Sequence, residues 1–89
     1  MTVAGVQIAI VHDAGPAAGR PARLERWFPD ADLVVFGHSH LPEARTAPGG
    51  QLQLNPGSCT QRRRAPHHTY ATVTLADGCV LDHRIVELG

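Results

Sequence analysis

Leu33-Val34-Val35-Phe36-Gly37-His38-Ser39-His40 is the stretch that decides how this chain folds, because an apolar run stops there at a glycine and hands over to two histidines. The run is too short for a helix and rich in β-branched and aromatic residues, which makes it a strand. Gly37 lets the backbone leave the sheet at angles a side chain forbids. Ligands of open α/β sheets gather outside the carboxyl ends of the strands, so His38 and His40 sit where such a fold places its chemistry. Two histidines spaced i, i+2 also occur in ordinary surface loops. Their meaning therefore rests on what flanks them.

Upstream, Val6-Gln7-Ile8-Ala9-Ile10-Val11 is a second strand, and it too ends in a histidine, His12. Asp13-Ala14-Gly15-Pro16 breaks the pattern. Residues 17–28 follow with Leu24, Trp27 and Phe28 at i, i+3, i+4 spacing, the stripe of an amphipathic helix. Pro21 either starts that helix or kinks it, and Pro29 ends it. Asp30-Ala31-Asp32 is a short polar connection to the strand at residues 33–36.

A strand, helix, strand order makes the two strands parallel through a right-handed crossover, with both carboxyl ends on the same side. If the strands are neighbours, about 4.8 Å apart, His12 and the His38/His40 pair converge within reach of one ion bound at about 2 Å. That is a metal site in outline. The plainer alternative is that His12 is only a polar strand end.

Downstream, Pro42 blocks a regular continuation, and residues 43–46 and 51–54 read as two short strands around Ala47-Pro48-Gly49-Gly50, a hairpin. Residues 55–68, from the turn-forming Asn55-Pro56-Gly57-Ser58 through Arg62-Arg63-Arg64, read as a loop. Residues 69–75 alternate, with Ala71, Val73 and Leu75 on one face. Asp77-Gly78 is a two-residue hairpin signal, and residues 79–87 return as the partner strand. The expectation is one helix and six strands, an α/β chain of one βαβ unit followed by β-hairpins.

At 89 residues the chain holds one domain with a small core. Eight bases, all arginine, balance eight acids, which leaves no broad basic field for nucleic acid or an anionic membrane. No run approaches the roughly 20 apolar residues of a membrane span, and the first residues lack a secretory pattern; a soluble, cytoplasmic protein is expected. Cys59 and Cys79 form no Cys-x-x-Cys and read as reduced thiols.

A strand ending in His12, then Gly37-His38-Ser39-His40, then Asn55-Pro56-Gly57-Ser58, resembles the calcineurin-like metallophosphoesterase superfamily, and within it the small bacterial phosphodiesterase branch. The resemblance implies an α/β sandwich of two packed sheets with a dinuclear metal site. It identifies residues 1–89 with the carboxyl-terminal half of such a domain. By this resemblance His12 and His38 ligate one metal and His40 the other. Manganese is the first expectation, and iron, nickel or zinc are alternatives. The family's other ligands come from an upstream Asp-x-His, a Gly-Asp-x-x-Asp and a Gly-Asn followed by Asp or His, and none of these occurs in the sequence. Asn55 belongs to its own turn. Asp30 and Asp32 precede their strand and so lie at its wrong end.

Asp13, where many relatives have glycine, is a candidate acceptor behind a ligand imidazole, or else an aspartate favoured near a helix start. Arg62, Arg63 and Arg64 are candidate contacts for a substrate phosphate, though a short charge run more often forms a solvated loop. The resemblance implies a phosphoesterase acting on a phosphate ester through metal-activated water. Three neutral imidazoles cannot offset the repulsion between two divalent cations, so the chain alone is expected to be inactive and to need an upstream half. An apolar sheet face and open strand edge should also favour pairing with a second copy or with that half. The alternatives are a non-catalytic scaffold of the same fold, as in the small retromer subunit, and an inactive truncated product.

Overall fold

In the computed structural model, which describes residues 1–38, 41–58 and 68–88, the decisive unit forms as the apolar pattern dictates. Strand β2 (Val6–Val11), helix α1 (Arg20–Trp27) and strand β3 (Leu33–Phe36) make a crossover, and β2 and β3 are adjacent and parallel, with Ile8 opposite Leu33 and Val11 opposite Phe36. β4 (Glu43–Thr46) and β5 (Leu52–Asn55) form the expected hairpin, and β5 continues the sheet in parallel to β3. A short β1 (Thr2–Val3) pairs antiparallel with β2, giving the order β1-β2-β3-β5-β4. β6 (Thr69–Ala76) and β7 (Cys79–Glu87) form a separate two-stranded antiparallel sheet.

Period-two alternation sorts the central strands onto two apolar layers. Leu33, with Val6, Leu52 and Leu54, faces the β6–β7 hairpin, where Ala71, Val73 and Leu75 pack with Val80 and Ile85. Val34 and Phe36 face the other way, against Leu24 and Ala14. The result is a two-sheet α/β sandwich with α1 on the outer face of the larger sheet, the class expected from sequence.

Four details differ from the sequence reading or go beyond it. The helix begins at Arg20 instead of residue 17, because Gly19 turns left-handed at φ 73° and Pro21 occupies the first turn; Pro21 starts the helix and does not kink it. Trp27 is 46% exposed and leaves the buried face to Leu24, because the helix ends there and Phe28 turns away at φ −130°. Gln53 is buried although it alternates with leucines: β5 is covered on both faces, and the Gln53 amide is satisfied by the Pro21 carbonyl at 2.9 Å and by Gln51 Oε1 at 3.0 Å. β1 was not expected at all. Two strand residues carry too little pattern, although the Ala4-Gly5 turn that joins them to β2, at φ 50° and 80°, has the two positive angles of a tight hairpin.

The Asp77-Gly78 turn repeats that geometry at φ 50° and 78°. The two turns meet, the Gly78 N–H donating to the Ala4 carbonyl at 2.8 Å, which joins an end of one sheet to an end of the other.

Candidate metal centre

His12 directly follows β2 and His38 follows β3 after Gly37, and the parallel register that sets Val11 opposite Phe36 brings them near one another. Their ring centroids are 5.3 Å apart with planes at 82°. Both side chains are exposed. The strand ends are tied by backbone alone, the Gly37 N–H donating to the His12 carbonyl at 3.0 Å.

The left-handed angle expected of Gly37 falls instead on His38, at φ 78°. A non-glycine residue there costs roughly 1–2 kcal/mol, and histidine is among the residues found there more often than most. Such strain persists where surrounding structure imposes it, and here it turns the imidazole toward His12 instead of continuing along β3. Gly37 keeps an ordinary angle, and a Cβ there would meet only the His12 carbonyl oxygen at 3.6 Å.

Two imidazoles that hold one ion through ring nitrogens at about 2 Å and a tetrahedral angle place their centroids about 5 Å apart. The His12–His38 centroid spacing matches that value, and imidazole is a donor that divalent transition metals accept. Among the described residues, no group of three or more His, Cys, Asp or Glu side chains assembles around an ion. His40, the third histidine of the sequence reading, lies outside the described residues, as do Cys59, His67 and Arg62, Arg63 and Arg64. Asp13 uses Oδ1 to accept the Gly15 N–H at 2.8 Å, which closes a turn directly after His12. His68 precedes β6 and accepts the Leu88 N–H through its carbonyl, and His83 sits on β7 opposite Val73.

The Asn55-Pro56-Gly57-Ser58 turn, visible in sequence only as a turn, proves to be a buttress. Asn55 is 1% exposed, and its Oδ1 accepts the Gly57 N–H at 3.0 Å. The Pro56 carbonyl accepts from the buried Thr69 hydroxyl at 2.9 Å, and Gly57, at φ 76°, lies so close to Thr69 and Pro42 that no Cβ fits. Pro42 leads from the histidine loop into β4. The turn therefore packs against Pro42, the residue before β4.

Sequence reasoning missed two arginines of α1. Arg23 donates to the carbonyls of Ala14 and Pro16, both at 2.8 Å, and of Ala18 at 2.9 Å, and so holds the loop between His12 and the helix. Arg20 lies over the Phe36 ring, its Cζ 4.9 Å from the centroid, and pairs with Glu43 at 3.2 Å. The acids of the Asp30–Asp32 connection are at the opposite end of the strands, where Glu25, Asp30 and Asp32 line a cleft of about 310 Å³ with Gly49, Gly50 and Gln51.

The paired imidazoles of this two-sheet α/β sandwich lie outside the carboxyl ends of parallel strands, the edge where open α/β sheets place their ligands. The calcineurin-like phosphoesterase superfamily domain matches residues 1–78, and the chain belongs to that superfamily. Its fold is similar to that of wild-type Vps29 from Entamoeba histolytica, crystallised in complex with Zn²⁺, with a TM-score of 0.67 and 22% identity. That similarity covers 100% of this chain and 59% of the Vps29 chain, so the chain spans little more than half the length of this neighbour. A search of the curated proteins gives no match.

Proposed function

We propose that this chain supplies the histidine side of a divalent-metal phosphoesterase centre that hydrolyses a phosphate ester, of phosphodiester type. The observation that carries the reading is the pair of exposed imidazoles of His12 and His38, 5.3 Å apart at the ends of adjacent parallel strands. His40, two residues on, is the third donor. A bound divalent cation lowers the pKa of water to make a nucleophile near neutral pH and stabilises charge on the phosphoryl oxygens. Imidazoles alone suit zinc, and added carboxylates shift the preference toward manganese. Asp13 sets the turn that orients His12, and Arg62, Arg63 and Arg64 are available to a substrate phosphate.

The acidic motifs of a dinuclear site are absent from the sequence. We infer that they come from an upstream half of the domain, that residues 1–89 form the carboxyl-terminal half, and that the bacterial phosphodiesterase branch is the one to which it belongs. Such a half has an edge to pair. Beyond Ile8, no described strand covers the outer side of β2, and Ile10 is 63% exposed there. An upstream half or a second copy is the proposed partner. No helix among the described residues is long and apolar enough to cross a membrane, and the exposed free thiol of Cys79 favours a reducing compartment such as the cytoplasm.

The second reading, a non-catalytic interaction module, is favoured by those same missing carboxylates. The test is hydrolysis of an aryl phosphodiester with Mn²⁺. A longer polypeptide carrying the upstream half should be active and this chain nearly inactive. An inactive, well-folded longer polypeptide that still binds a partner would support the module.

A further inference from the structure

We propose that Arg20 is a positioning residue, one that holds the two histidine loops at ion-binding distance without touching an ion or substrate. Its guanidinium meets three separate segments of chain. Nη2 donates to the Gly15 carbonyl at 3.0 Å, three residues beyond His12. The guanidinium plane covers Phe36, two residues before His38, with Cζ 4.9 Å from the ring centroid. Nη1 donates to Glu43 Oε2 at 3.2 Å, three residues beyond His40. One planar group thus touches the chain after the first histidine, before the second and after the third.

The side chain is 15% exposed and its Nε is buried with no hydrogen-bond partner among the described residues. Its orientation is set by the three contacts it makes. Arg23, one turn further along the helix, is the natural contrast. Among the described residues its side-chain hydrogen bonds go to the carbonyls of Ala14, Pro16 and Ala18, so it braces one loop. Lysine could not replace Arg20, because an ammonium lacks the flat face for Phe36 and the fork that reaches Gly15 and Glu43 together.

This inference rests on the metal reading above, and the experiment separates the two. In the 89-residue chain, metal-free NMR should give a ring-to-ring NOE between His12 and His38, and calorimetry with Zn²⁺ gives the affinity. Arg20→Gln should abolish the NOE without metal and weaken Zn²⁺ binding about tenfold, the lower end of what loss of a supporting residue costs a metal site. Arg20→Lys should recover only part of either. Glu43→Gln should act in the same direction by less, and adding it to Arg20→Gln should change little. Arg23→Gln should leave the NOE in place.

An Arg20→Gln protein with the NOE and Zn²⁺ affinity of the parent would overturn the proposal, as would an equal loss in Arg23→Gln. If Arg20→Gln does not fold, Glu43→Gln carries the test, since Glu43 is 38% exposed and its replacement leaves the core intact. A parent chain that shows the NOE but binds no Zn²⁺ would remove the metal reading, while loss of the NOE in Arg20→Gln would still support Arg20 as the organiser of the pair.

Discussion

The two ends of the parallel strands use their side chains in opposite ways. At the amino ends the polar side chains close the backbone. Asp32 Oδ2 accepts the Gln7 N–H at 2.9 Å, Glu25 accepts the Gly49 N–H at 3.1 Å, and the Gln51 amide donates to the carbonyls of Phe28 at 2.9 Å and Ala31 at 3.1 Å. At the carboxyl ends the Gly37–His12 tie is made by backbone, which leaves both imidazoles exposed. An acid that already caps the chain has less to offer a ligand than an imidazole the fold does not use. Asp32 and Glu25 of the acid-lined cleft are thus part of a structural seam, and the proposed binding edge is the histidine one.

That contrast can be broken most forcefully at Gly57. Alanine there would take a left-handed angle and overlap Thr69, and the two penalties together should cost about 3 kcal/mol. For a domain this size the melting midpoint should fall by roughly 15 °C. Unchanged melting would mean that the turn does not buttress the histidine loop.

Next in size, His12→Ala or His38→Ala should lower Zn²⁺ affinity by at least about 100-fold, the upper limit for residues that only support a ligand. Thermal stability should hold, because both side chains are exposed. Calorimetry showing parental affinity after either change would refute the paired-imidazole site.

Asp32→Ala tests the opposite end. It removes the acceptor of the Gln7 N–H and should cost about 1 kcal/mol in urea unfolding, with Zn²⁺ affinity unchanged. A loss of affinity there would show the two ends to be coupled. The smallest effect is expected of Gly37→Ala, within about 0.5 kcal/mol of neutral, since the angle is ordinary and the unfolded chain loses freedom. A severe defect would return the strained turn from His38 to Gly37.

The sandwich was legible in sequence wherever an apolar period ran long enough to fix a face. Val6–Val11 and Leu33–Phe36 carried it, and the parallel order followed from the crossover between them. The hairpins at β4–β5 and β6–β7 were legible from their turn residues. What escaped was set by tertiary context. The burial of Gln53 depends on a helix that covers its strand, and Trp27 reads as core until the helix ends beside it. Of the site, the two histidines could be placed because strand ends are visible in sequence. The strain at His38 could not, since the glycine beside it was the more obvious bearer. Nor could Arg20, because nothing local pairs it with Glu43, and their contact exists only once β4 has docked.

The hydrogen bond between the Ala4 and Gly78 turns joins nearly the two extremes of the chain. Closing so long a loop carries an entropic cost that grows with the logarithm of its length, so the contact is expected to form after both sheets have brought those ends together. An interaction absent from the folding transition state governs how fast the protein opens and hardly affects how fast it assembles. The amide hydrogen of Gly78 is therefore a natural probe of this join: its exchange with solvent reports how often the two turns part.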